Sequence, residues 1–94
     1  MGVTLKFIGA LRRDSGKDQI TLECKNEVLL IDLVNNLTRD LPLLRSSLLD
    51  ERLKPPKSNA LVLVNGKEIS ILNGLQTKVR DGDEVVFIPV VHGG

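Results

Sequence analysis

The sequence predicts an α+β fold of the β-grasp class, a mixed sheet of four to five strands packed on one main helix. Three observations carry this: two N-terminal segments alternate apolar and polar residues, one amphipathic helical stretch follows, and further apolar strands come after it, separated by glycine turns. A chain of 94 residues makes one domain. Its core is large enough to fold without staples, because a chain of this size buries roughly 60–65% of its unfolded surface.

Val3, Leu5 and Phe7 alternate with Thr4 and Lys6 and read as a first strand; Ile20, Leu22 and Cys24 alternate with Thr21 and Glu23 as a second. Between them, Arg12-Arg13-Asp14-Ser15-Gly16-Lys17 is polar and ends in turn chemistry, which predicts a hairpin connection. Leu30, Leu33, Val34, Leu37 and Leu41 recur at helical spacing with polar residues opposite, so a helix is expected from about Leu30 to Leu41, stopped by Pro42. Leu43 to Leu49 is read as a second short helical turn, and Lys54 to Asn59, with its paired prolines, as a loop. Leu61-Val62-Leu63-Val64 is a continuous apolar strand. Asn65-Gly66 then signals a tight hairpin into Lys67 to Ile71. Asp81-Gly82-Asp83 turns the chain into a last strand from Glu84 to Pro89.

Composition removes several classes of function. Thirteen Lys and Arg against twelve Asp and Glu give a net charge of +1, interspersed rather than massed, so neither a nucleic-acid surface nor a membrane surface is expected. With two Phe and no Trp or Tyr, the base-stacking platforms of single-strand binders are missing as well. No basic, apolar leader pattern and no long apolar run is present, which makes a cytoplasmic location the expectation. Cys24 is the only cysteine and is expected to be a small buried thiol beside Ile20 and Leu22. His92 is the only histidine and has no converging partner, so no catalytic residue, metal site or bound cofactor is expected. Gly66-Lys67 lacks the glycine spacing and hydroxyl of a phosphate loop.

The sequence closes on Val90-Val91-His92-Gly93-Gly94. Residues 1–89 are expected to form the β-grasp domain and residues 90–94 a flexible tail. Glycine lacks Cβ, so a diglycine end can thread a narrow channel and bring its carboxylate to a reactive centre in another protein. A Gly-Gly ending arises by chance in about 1 of 200 chains, so the residues upstream must carry the weight. They do so in part through an apolar patch. One helix covers one sheet face, whereas Ile8, Val86 and Ile88 alternate with Phe7, Val85 and Phe87 and point to the other. Such a patch marks a partner-binding surface or the edge of an ordinary core.

Val3-Thr4-Leu5-Lys6-Phe7-Ile8 followed by Leu11-Arg12, then Val64-Asn65-Gly66, then Asp81-Gly82-Asp83-Glu84-Val85 and the run from Phe87 to Gly94 together resemble the sulfur-carrier branch of the ubiquitin-like superfamily. That branch holds the molybdopterin synthase small subunit, the thiamine-pathway sulfur carrier, the ubiquitin-related modifier and the small archaeal modifier proteins. His92-Gly93-Gly94 and Phe7-Ile8-Gly9-Ala10-Leu11 are similar to the ubiquitin-related modifier, whereas Phe87-Ile88-Pro89-Val90-Val91 resembles the approach to the tail in molybdopterin synthase small subunits. Glu68 stands where those small subunits often carry an apolar residue, so the subfamily is left open.

The resemblance implies a protein that is the substrate of an enzyme rather than an enzyme. An E1-like activating enzyme would adenylate Gly94 with ATP, and a sulfur donor would convert it to a thiocarboxylate, with Val91, His92, Gly93 and Gly94 forming the recognised tail. Sulfur would then pass to tRNA thiolation or to molybdopterin synthesis with the synthase large subunit. Gly94 would also be joined to target-protein lysines by an isopeptide bond. The alternatives are a dedicated synthase small subunit without conjugation, and a ubiquitin-like adaptor with an inert tail.

Overall fold

The computed structural model describes residues 2–90. β1 (Gly2–Phe7) pairs antiparallel with β2 (Gln19–Glu23), as the alternation requires, with Leu5 opposite Ile20 and Val3 opposite Leu22. The connection between them is not the predicted hairpin loop. It is a helix, α1 (Ala10–Ser15), anchored by buried Leu11 and closed where Gly16 turns left-handed and donates its N–H to the Arg12 carbonyl at 2.8 Å. Arg12 and Arg13 lie in its last turn, where cations complement the helix dipole, and Arg12 Nε also donates to the Phe7 carbonyl at 3.1 Å.

β3 (Val28–Leu29) leads directly into α2 (Leu30–Thr38), the main helix, which buries Leu30, Leu33, Val34, Leu37 and Thr38. It ends earlier than the period suggests. The Thr38 hydroxyl bonds back to the Val34 carbonyl at 2.8 Å, and Leu41, restricted by the proline that follows, is non-helical at φ −133°. Pro42 both ends the first run and starts the next, because proline fits the first position of a helix, where no N–H is needed. The expected second turn is α3 (Pro42–Leu48), burying Leu44 and Leu48. Arg45 ties it to α2, donating to Asn35 at 2.9 Å and Thr38 at 3.1 Å, and it also pairs with Glu51.

β4 (Leu49–Asp50) pairs with β5 (Lys57–Ser58), the second of which falls within the Lys54–Asn59 segment expected to be loop. β6 (Ala60–Val64) turns through Asn65 and Gly66, at φ 50° and 83°, into β7 (Lys67–Glu68). Both central residues with positive φ make the mirror-image turn that suits a hairpin's twist. β7 stops short of the predicted Ile71, because the Glu68 carboxylate accepts the Ser70 N–H and caps a 3₁₀ turn over Ile69–Ile71. A second such turn, Gly74–Gln76, precedes β8 (Lys78–Val79), which pairs with β3. β9 (Glu84–Pro89) then enters the middle of the five-stranded sheet, whose order is β2-β1-β9-β6-β7.

β1 and β9 are parallel, with Phe7 opposite Phe87; β9 and β6 are antiparallel, with Val62 opposite Phe87. This mixed sheet under one main helix is the β-grasp arrangement. The two phenyl rings stack with centroids 5.7 Å apart and planes 15° from parallel, between sheet and helices. They belong to one buried core with Val3, Leu5, Val62, Val85, Leu33 and Leu37.

Removing a buried aromatic loses its transfer energy and leaves a cavity. Phe87→Ala is therefore expected to destabilise the fold by about 3–5 kcal/mol. Urea unfolding followed by circular dichroism checks this, and a loss below about 1 kcal/mol would mean that the ring stack is not the centre of the core.

Candidate tail root and uncovered sheet face

β9 leaves the sheet at a built exit. The Ile8 N–H donates to the Phe87 carbonyl at 3.0 Å, the last bond from the β1 side, while on the β6 side the register runs on to Pro89, opposite Ala60. Proline has no N–H with which to prolong the ladder. Beside it Gly9 adopts φ 59°, and a Cβ there would come within 3.3 Å of the Pro89 ring. Gly9 thus satisfies two demands at once, a left-handed backbone and room for the ring. Val90 follows, exposed, over a hollow formed with Ala10, Asp14, Arg52 and Asn59. Val91, His92, Gly93 and Gly94, the expected recognition tail with its reactive end, lie outside the described residues.

Alternation along β9 sends Val85 and Phe87 into the core and Val86 and Ile88 to the face without a helix, where both are half-buried. Ile8 joins them: it lies just past β1 and is 37% exposed. The three residues singled out in the sequence therefore do share one face. Two more belong with them. Leu61 lies opposite Ile88 and Leu63 opposite Val86, and Leu61 is 37% exposed. The sequence signal for them was faint, since Ala60, Val62 and Val64 alternate with Leu61 and Leu63 but all five are apolar.

The face is graded. At the tail end of β9 stand Ile8, Ile88 and Leu61; in the next row come Lys6, Val86, Leu63 and Glu68; beyond these are Thr4 and Glu84. Lys6 and Glu84 form an ion pair at 2.9 Å, with both side chains largely solvated, so it keeps this end of the face wetted and adds little stability. The apolar part thus adjoins the root of the tail, and the charged part lies away from it.

Other candidate groups stand apart. Cys24 is half-buried rather than fully buried, because β2 ends at Glu23 and the thiol turns to donate to the Asn26 carbonyl at 3.0 Å. Among the described residues no three His, Cys, Asp or Glu side chains converge as metal ligands, and no helix is long and apolar enough to cross a membrane. Arg52 grips Asp50 with two parallel bonds of 3.0 Å, which holds that carboxyl below the usual carboxylate range.

A family model, that of the ThiS family, matches residues 5–94. The chain belongs to the ThiS family. It is 30% identical over 94 residues to small archaeal modifier protein 3 of Haloferax volcanii, covering 100% of both chains. It is 33% identical over 78 residues to the ubiquitin-related modifier 1 homolog of Dictyostelium discoideum, covering 81% of this chain and 78% of that one. The solution structure of small archaeal modifier protein 1 from Methanosarcina acetivorans superposes with a TM-score of 0.79 at 30% identity, over 98% of this chain and 95% of the other. These matches make it a ThiS-family member among the ubiquitin-like sulfur carriers and modifiers, with the ubiquitin-like β-grasp fold.

Because the apolar patch lies outside the core, a charge there is expected to be tolerated. Leu61→Asp or Ile88→Asp should shift stability by no more than about 1 kcal/mol. Thermal unfolding of each variant measures this, and a loss comparable with that of Phe87→Ala would show that these side chains are core.

Proposed function

We infer that this ThiS-family protein is a sulfur carrier and protein modifier whose working group is the Gly94 carboxylate. The observation that carries the reading is the apolar patch of Ile8, Leu61, Leu63, Val86 and Ile88 adjoining the tail root. A partner seated on that patch has the tail delivered to it. In this reading the partner is an E1-like activating enzyme, and the tail residues Val91, His92, Gly93 and Gly94 run into its nucleotide site. Diglycine suits that route because it has no side chains to clash with a narrow channel.

A carboxylate resists nucleophiles, so the first step joins Gly94 to the adenylate of ATP with loss of pyrophosphate. The mixed anhydride then has AMP as a good leaving group. The outer sulfur of a protein persulfide attacks the carbonyl and expels AMP; a second thiol cleaves the resulting acyl disulfide, leaving the thiocarboxylate on Gly94 and a disulfide on the donor. ATP is bound and used by the partner, and this chain supplies the acyl group. The thiocarboxylate passes its sulfur to an enzyme acting on tRNA or on a molybdopterin precursor. Conjugation through Gly94 to target-protein lysines begins from the same adenylate, and the relatives named as modifiers favour including it. A dedicated partnership with a molybdopterin synthase large subunit is less well supported, because Glu68 places a carboxylate beside Leu63 at the edge of the patch.

Intact mass after incubation with the activating enzyme, ATP and a persulfide donor tests the chemistry. The expected product has one oxygen replaced by sulfur, and an unchanged mass with a competent enzyme would overturn the reading. Deleting Gly94 should abolish adenylation with unaltered unfolding, because it draws the carboxyl back by about 3.5 Å, far more than near-attack geometry tolerates. Full adenylation of the truncated chain would exclude this carboxyl. Ile88→Asp should weaken binding to the activating enzyme by about tenfold or more, since a carboxylate buried in an apolar interface is costly. Unchanged affinity in a titration would remove the patch from the mechanism.

A further inference from the structure

β2 is a free edge. It stands first in the order β2-β1-β9-β6-β7, and with five residues it is longer than the opposite edge, β7. The Phe7 N–H donates to the Asp18 carbonyl at 2.9 Å, which fixes the phase of the antiparallel ladder: the pairs Leu5–Ile20 and Val3–Leu22 exchange the hydrogen bonds. The N–H and C=O groups of Gln19, Thr21 and Glu23 consequently point away from the sheet. No other backbone group among the described residues bonds to them.

Beside this edge, toward α2, runs an apolar groove. Two hollows merge there because Leu22 and Asn36 line both; one extends to Cys24 and Val28, the other to Ile20 and Leu37. A strand laid along β2 would therefore gain a hydrogen-bond ladder on one side and, at every second residue, an apolar floor. The rim carries charge of one dominant sign. Asp32 borders one hollow and Asp40 the other, against a single lysine, Lys17. Neither acid is in an ion pair among the described residues. Arg39 and Arg45 line a separate hollow with Asn35 and Thr38.

We propose that the β2–α2 groove docks an extended segment of another protein, one with aliphatic residues at alternate positions and flanking lysines or arginines, which adds as a sixth strand beside β2. A second copy of this chain fits less well, because antiparallel pairing of two β2 strands about Thr21 sets Lys17 against Lys25 in both halves of the joint. The groove lies beyond β1 from the open-face patch and on the helix side of the sheet. It is therefore a separate surface that stays available while an activating enzyme holds the tail. Its role would be selection, bringing a chosen acceptor or receptor to the protein independently of the Gly94 chemistry.

The test titrates the full ¹⁵N-labelled chain with a capped peptide in which Val-Thr-Val-Thr-Val lies between pairs of lysines, and with the same peptide carrying glutamates instead. The expected result is amide shifts at residues of β2 and α2, slowed hydrogen exchange at Gln19, Thr21 and Glu23, and affinity about tenfold lower for the glutamate peptide. Asp32→Lys with Asp40→Lys, both at exposed positions, should reverse that preference without altering unfolding. Thr21→Pro should abolish binding, since it deletes an outward N–H that the sheet does not use. If that variant unfolds, the charge-reversed pair still decides. Equal binding of the two peptides, shifts at Val86 and Ile88 instead, or β2 protection that grows with protein concentration alone would each overturn the proposal.

Discussion

The parallel pairing of β1 with β9 is the constraint on which the rest of the molecule depends. It joins the first strand to the last, stacks Phe7 on Phe87 and, with the pairing of β9 to β6, makes one sheet of the β1–β2 and β6–β7 pairs. Until it forms, α2 has no continuous surface to cover. The chain therefore meets a large loop-closure cost before its core is rewarded, which favours a cooperative unit over a set of independently stable pieces. The same pairing makes the strand that leads to the diglycine end the central one of the sheet.

Most of this architecture was legible in the sequence wherever a periodic signal existed. Alternation marked β1, β2 and the inward phase of β9, and the helical period marked α2. α1 was not legible, because its six residues hold only one buried apolar side chain, Leu11, and one position cannot declare a period. β7 was read too long because Glu68, an ordinary strand residue by composition, caps the turn that ends it. The proline at 42 was read as a stop, while its second role as the start of α3 rests on the same missing N–H.

The open face shows a different limit. Ile8, Val86 and Ile88 were visible because each alternates with a residue destined for the core. Leu61 and Leu63 were hidden in a wholly apolar strand, where no polar residue reveals the phase, and only the pairing of β6 with β9 brings them beside Ile88 and Val86. Which strands become neighbours is a property of the whole sheet and is not written in either strand. The outward groups of β2 are similar, for their direction depends on the hydrogen-bond phase against β1.

The proline at the end of β9 has a further consequence. Proline fixes its own φ and biases the residue before it toward extended backbone, so the direction in which Val90 departs is set by the sheet. Four residues beyond Val90 can span at most about 14 Å. The terminal group is thus on a short tether with an aimed anchor, and it can meet only what already touches the domain. In the proposed function, reactivity would then follow from who is docked, at an effective concentration fixed by tether length and not by the abundance of acceptors in solution.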